Sequence, residues 1–131
     1  MGFHMELKGR TALITGSTGS GIGRSTAFRL ASEGANIILN YGTYHRTGQA
    51  IKDAEDNAKI IANIVKELGG EAFAFPADTR EPHQVKAMVD AGIERFGAID
   101  ILVNNAGGEW LVQNITKIEP DHWRSVLQAE I

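Results

Sequence analysis

The sequence predicts an α/β fold, a doubly wound parallel sheet with helices on both faces, and three observations carry that prediction. Short apolar runs bounded by turn residues alternate with longer helical patterns, a glycine-rich turn joins the first run to the first helix, and no repeat or linker interrupts the order. A chain of 131 residues makes one domain, able to bury about two thirds of its unfolded surface.

The elements follow in order. "TALIT" (Thr11 to Thr15) is the first strand, and the helical pattern from Gly21 to Glu33 offers Ile22, Ala27, Leu30 and Ala31 for burial before Gly34 closes it. "NIILNY" (Asn36 to Tyr41) is the second strand, followed by a surface loop, "GTYHRTGQ" (Gly42 to Gln49). The next helix presents Ile51, Ala54, Ala58, Ile61, Val65 and Leu68 on one face and stops at Gly69 and Gly70. Its other side carries Lys52, Asp53, Glu55, Asp56 and Lys59, a solvated face. After "AFAFPA" (Ala72 to Ala77), Val85, Met88, Val89, Ile93 and Phe96 form one apolar stripe, with Pro82 in the first turn and Gly97 at the stop. "DILVNN" (Asp100 to Asn105) is the fourth strand. Runs this apolar suit strands covered on both faces, and strands separated by helices pair in parallel.

Composition narrows the function classes. Apolar residues make up 43% of the chain and charged ones 22%, the balance of an ordinary globular protein. The net charge of −3, with 13 Lys and Arg dispersed along the chain, gives no basic stripe for nucleic acid. No apolar run approaches a membrane span and no leader precedes a cleavage site, so a cytoplasmic location is expected. The absence of cysteine removes disulfides, thiolate metal sites and cysteine nucleophiles, and the histidines at 4, 45, 83 and 122 share no ligand spacing, so no metal site is expected. Residues 1–4 read as a cloning remnant before a natural start at Met5, leaving 5–131 as the domain.

The turn "TGSTGSGIG" (Thr15 to Gly23) carries the chemistry. A strand running into glycines and then a helix gathers backbone N–H groups and the positive end of a helix dipole at one point, where phosphate is attracted. Glycine is required where a Cβ would forbid the backbone angles or hold a pyrophosphate away from the amides. A tight turn without a ligand is the plainer alternative, but the place after the first strand and before the first helix is where a dinucleotide fingerprint lies. Gly23 is followed by Arg24 and Ser25, so the lysine of a P-loop is missing and triphosphate hydrolysis is disfavoured.

"TGSTGSGIG", "AD" (Ala77, Asp78) after the third strand and "NNAG" (Asn104 to Gly107) after the fourth resemble, in order and spacing, the motifs of the short-chain dehydrogenase/reductase family. The likeness extends through "ALITG", "LGGEA", "FGAIDILVNNAG" and Trp123, from about Leu7 to the last residue. The resemblance implies a Rossmann-type sheet with strand order 3-2-1-4, an NAD(H) or NADP(H) cofactor, and hydride transfer between nicotinamide and an alcohol or ketone. It implies that Gly16, Gly21 and Gly23 form the phosphate turn, with Ile22 under the nicotinamide side. Asp78 would bond the adenine amino group, or else serve as a charge at a helix N-terminus. The backbone of Asn105, Ala106 and Gly107 would line the ribose, and Asn104 would fasten the fourth strand. Trp110 would face a substrate, a core or an interface.

Three departures from the family pattern qualify this. Four residues, Ser17 to Ser20, separate Gly16 from Gly21 where the family has three, a bulge that Gly19 accommodates and that either wraps a phosphate, with the hydroxyls of Ser17, Thr18 and Ser20 as added donors, or holds the loop out of position. The acidic residue that binds the adenosine ribose of NAD is replaced by Tyr41, and with His45 and Arg46 nearby this favours NADP(H), unless Arg46 is a solvated loop residue. No Ser, Tyr-x-x-x-Lys or Asn catalytic set is present: the tyrosines at 41 and 44 precede His45 and Gly48 by four residues, and Glu130 holds the family's catalytic Asn position seven residues after Trp123. The sequence stops at Ile131, about halfway through the family's length, so the later strands, catalytic helix and substrate lid are expected to be missing. The chain alone is then expected to be inactive, with a carbonyl or alcohol substrate bound only once a C-terminal half completes it. Its fourth strand, left as an edge, is expected to keep the chain from being an isolated monomer: it either self-associates through that strand or the last helix, or pairs with a separate C-terminal piece. A non-catalytic nucleotide-binding or assembly module is the alternative, supported by Glu130 and the altered turn.

Overall fold

Side chains alternate across the first two strands, and two layers of helix cover what they present. The computed structural model describes residues 5–44, 46–107 and 112–130. Within these, β1 (Thr11–Ile14), β2 (Asn36–Tyr41), β3 (Ala72–Pro76) and β4 (Ile101–Val103) form one parallel sheet in the order β3-β2-β1-β4, as the resemblance implies. The helices are α1 (Ile22–Ser32), α2 (Gln49–Glu67), α3 (Pro82–Phe96) and α4 (Pro120–Glu130), with a 3-10 turn at Ile115–Lys117.

On one face Ala12, Ile14, Ile37 and Leu39 pack with Ala27 and Ala31 of α1 and Ile61 and Val65 of α2. On the other, Leu13 and Ile38 pack with Met88 of α3, with Phe73, Phe75, Val89 and Phe96 around them. The small residues Ala72 and Ala74 meet the α2 side of the sheet, while Phe73 and Phe75 fill the α3 side with ring centroids 5.9 Å apart. One strand of this kind supplies both cores because successive side chains point to opposite faces.

Three residues expected in the core lie outside it. Ile93 is 45% exposed because the sheet-facing line of α3 runs through Met88 and Gly92, and Ile93 stands about 100° further round the helix. Leu68 follows the last helical residue of α2, and Ile22 opens α1 above the end of the sheet, where it is 78% exposed.

The fourth strand is also shorter than its apolar run. The Asp100 carboxylate accepts from Thr11 N (2.8 Å) and Arg10 Nη1 (2.7 Å), while Asn105 N donates to the Thr15 hydroxyl at 2.9 Å, so both ends leave the ladder. Ile101 and Val103 pack beside the α1 core, but α3 lies over the other side of the sheet and leaves Leu102 60% exposed.

Candidate functional site

The glycine turn leaves the end of β1 tied to its neighbours. Gly16, at φ +61°, takes a left-handed conformation, and a Cβ there would stand 2.9 Å from Ala106 Cα. Its N–H donates to Asn40 Oδ1 at 3.0 Å. The adjoining Ser17 N donates to Asn40 O at 3.0 Å, and Asn40 N donates back to Ser17 Oγ at 3.1 Å. Asn40 then reaches the third strand, its Nδ2 donating to Ala77 O (3.1 Å) and Phe75 O (3.4 Å). One asparagine side chain, 1% exposed, thus joins the C-terminal ends of β1, β2 and β3.

Further along, the Asn57 side chain of α2 donates to the carbonyl of Thr18. From Gly19 to Gly23 the backbone N–H groups donate to no acceptor among the described residues, and the first α1 amide to do so is Ser25 N, to Gly21 O at 3.3 Å. Gly19, Ser20, Gly21 and Ile22 are exposed, so four of these five donors belong to solvent-facing residues at the positive end of a helix. Gly23 is buried, and a Cβ on it would collide with the Asn105 amide and approach Gly16 O to 2.8 Å.

The strand β4 end supplies the opposite wall. Asn105 Nδ2 donates to Thr15 O (3.0 Å) and Gly16 O (3.1 Å), and the Thr15 hydroxyl accepts from Asn105 N and Ala106 N, each at 2.9 Å. The fastening expected of Asn104 is therefore made by the Asn105 side chain, while Asn104 is exposed.

These walls border a cleft of about 280 Å³. Gly16, Asn105, Ala106 and Gly107 line one side, Gly42, Tyr44, Arg46 and Asp78 another, and Ser125 and Ala129 of α4 also reach it. Tyr44 Oη lies 3.5 Å from Ser125 Oγ, and the Glu130 carboxylate lies against Gly107, where a Cβ would stand 2.8 Å from Oε1.

Asp78 is held firmly at the rim. Its N–H donates to Gln84 Oε1 (2.8 Å), while its carboxylate accepts from Arg80 N (3.0 Å), Nε (2.9 Å) and Nη2 (2.7 Å). The Arg80 guanidinium also lies over the Tyr44 ring. With side chains only 9% and 12% exposed, Arg80 and Asp78 form a desolvated bidentate pair, and hydrogen bonding to Asp78 holds the guanidinium charged beyond its ordinary range against the effect of burial.

The structure thus brings Gly16, Arg46, Asp78, Asn105, Ala106 and Gly107 to one cleft. Ser17, Thr18, Ser20, Gly21, Ile22, Gly23 and Tyr41 do not line it, and Gly21 and Ile22 border a separate shallow hollow with Ser25 and Thr26 of α1. Tyr41 is 7% exposed and packs on Ala54 and Ala58, and Gly42 lines the cleft at that strand end. Burial, then the nearby Glu55 charge, pushes the Tyr41 phenol up. Ser17 and Thr18 are buried, with the Ser17 hydroxyl accepting from β2. His45 and Trp110 lie outside the described residues. Asn40, Asn57 and Arg80 were not among the candidates; the one visible signal was a polar Asn40 inside the apolar run "NIILNY".

A family model described as short chain dehydrogenase matches residues 10–131. The chain belongs to the short-chain dehydrogenase family. Among its relatives, an NADPH-dependent aldehyde reductase of Arabidopsis thaliana chloroplasts is 33% identical over 96% of this chain and 42% of the relative. A short-chain dehydrogenase of Burkholderia cenocepacia J2315, solved with NADP, superposes with a TM-score of 0.78 at 32% identity, covering 95% of this chain and 46% of that one. An NADH-dependent reductase solved with NAD gives a TM-score of 0.76 at 33% identity, covering 96% and 48%. The chain therefore spans about half the length of the short-chain dehydrogenases it matches. No described helix is long and apolar enough to cross a membrane, and no described group of three His, Asp or Glu is placed to hold a metal ion.

Proposed function

We propose that this chain is the nucleotide-binding portion of an NAD(P)-dependent oxidoreductase and holds the adenosine and pyrophosphate of the cofactor. The observation that carries the reading is the run of five backbone donors from Gly19 to Gly23 at the start of α1, beside a floor at Gly16 and Gly23 where no Cβ fits. A pyrophosphate there accepts hydrogen bonds from these amides and gains from the helix dipole. The cleft, at about 280 Å³, falls just below the usual range of about 300–1,000 Å³ for ligand sites, which suits one half of a dinucleotide. Ala106 and Gly107 present backbone to the ribose, and an adenine amino group at Asp78 shares that carboxylate with Arg80.

NADP(H) is the favoured cofactor. The end of β2 offers Tyr41, turned into the core, and Gly42, so no carboxylate repels a 2′-phosphate there, while Arg46 is among the residues that line the cleft. Calorimetric titration with NADPH and NADH tests this: NADPH should bind more tightly, and Arg46→Ala should erase the difference. Equal affinities in the unaltered chain would overturn the preference.

Bound cofactor supplies a hydride donor or acceptor at nicotinamide C4. In the complete enzyme the cofactor would supply hydride chemistry at an alcohol or ketone carbon, and a tyrosine would move the proton. No tyrosine in these residues suits the role, since neither is followed four positions later by lysine and Tyr41 is buried with a raised pKa. The chain alone should bind nucleotide without reducing a ketone. The position of Glu130 against Gly107 favours a second reading, a nucleotide-binding module without catalysis, because a carboxylate there places negative charge beside the proposed ribose contacts. Leu102, Trp123 and Leu127, at 60%, 54% and 41% exposure, support association of the chain through β4 or α4. Sedimentation as a monomer at micromolar concentration would count against that association.

A further inference from the structure

The extra residue between Gly16 and Gly21 has a specific support. The Thr18 side chain is buried and its carbonyl accepts from the Asn57 amide on α2, so the tip of the lengthened turn is fixed to a helix distant in sequence. Peptide planarity sets the next donor: in a trans peptide the N–H points opposite to the C=O. With the Thr18 carbonyl drawn toward α2, the Gly19 N–H is aimed away from α2, into solvent, where Gly19 has open space around it. Without that anchor the peptide between residues 18 and 19 rotates, and the first of the five donors is lost from the set.

We infer that Asn57 is a positioning residue for pyrophosphate binding, acting through the orientation of the Gly19 amide. This rests on the proposed dinucleotide site and concerns the first of its five donors. Asn57 is exposed on the polar side of α2, a side the sequence marks as solvated, and its neighbours Glu55, Asp56 and Lys59 pair among themselves.

The test separates ligand with pyrophosphate from ligand without it. Affinities of the purified chain for ADP-ribose and for 2′-AMP are measured by NMR titration, in the unaltered chain, in Asn57→Ala and in Asn57→Leu, which keeps the shape without the donor. Both variants should bind ADP-ribose about threefold to tenfold more weakly, the worth of one hydrogen bond, while 2′-AMP affinity stays within error and the ligand-free melting temperature falls by only the few degrees that one lost hydrogen bond costs. Asn57→Gln, which retains an amide donor, should recover most of the loss. Unchanged ADP-ribose affinity, or an equal loss for both ligands, would overturn the assignment of Asn57 while leaving the dinucleotide site standing. If the unaltered chain bound no ADP-ribose, the proposed function would fall, and this inference with it.

Discussion

Replacing Gly23 with alanine tests how tightly the turn and the end of β4 are fitted together. The new methyl would land against the Asn105 amide, 3.1 Å from its Cγ and 2.8 Å from Gly16 O. Asn105 cannot retreat without giving up its bonds to Thr15 O and Gly16 O, at 3.0 and 3.1 Å. Losing two hydrogen bonds costs about 1–3 kcal/mol. Crowding a packed site adds about 1–3 kcal/mol. Alanine in a helix returns about 1 kcal/mol relative to glycine, so the net destabilisation is about 3 kcal/mol. Gly19→Ala is the matched control, because nothing lies within 4 Å of its Cβ position and no left-handed φ is involved, so it should stay within about 0.5 kcal/mol. Urea unfolding followed by circular dichroism reads both, and the Gly23→Ala midpoint should fall by about 1 M or more. Equal midpoints for the two variants would refute the steric argument.

Three further perturbations address other parts of the site. Asn40→Ala leaves Gly16 N–H and the carbonyls of Phe75 and Ala77 without their shared partner and should cost about 3 kcal/mol in urea unfolding. Asp100 has a lowered pKa, first through its bond from Thr11 N and then through Arg10. Its contribution to stability is therefore present above the unfolded carboxylate value of about 3.9 and is lost as pH falls through the lower folded value. The stability difference between the unaltered chain and Asp100→Asn should hold steady from pH 6 to 8, a range of about two units, and shrink below about pH 4 in acid titrations of unfolding. Gly21→Ala meets no protein atom within 4 Å, so its melting temperature should match the unaltered chain, while calorimetry should show NADPH binding weakened about tenfold as the methyl holds the pyrophosphate off.

Local pattern made most of the fold legible. The alternation of apolar runs with helical stripes was enough to name four parallel strands, and the resemblance added their order. The turn at Gly16–Gly23 was readable because glycine at its two ends answers a steric demand that leaves few alternatives, although Gly19 and Gly21 between them stand in open space. What stayed hidden depends on contacts between segments far apart in sequence. Asn40 reads as one polar residue in a strand until its bonds across 24 residues to Gly16 and 37 residues to Ala77 are seen. Asn57 reads as part of a solvated helix face, because nothing local reveals that Thr18 reaches it. Arg80 neighbours Asp78 in the sequence, yet its bidentate pairing and the ring beneath it are set by the loop that carries Tyr44. The exchange of roles between Asn104 and Asn105 has the same origin: the strand ends after Val103, and only geometry decides which amide turns inward. Burial of Ile22, Leu68 and Ile93 was overestimated because periodicity marks a face and leaves open how far the sheet extends beneath it.

If the amides from Gly19 to Gly23 bind the pyrophosphate of a nicotinamide dinucleotide, an amide-resolved NMR titration of the chain with NADPH reads it residue by residue. Saturable shifts should be largest at Gly19 to Gly23, with smaller ones at Ala106 and Gly107. No saturable shift, or shifts confined to residues away from the turn, would contradict that binding.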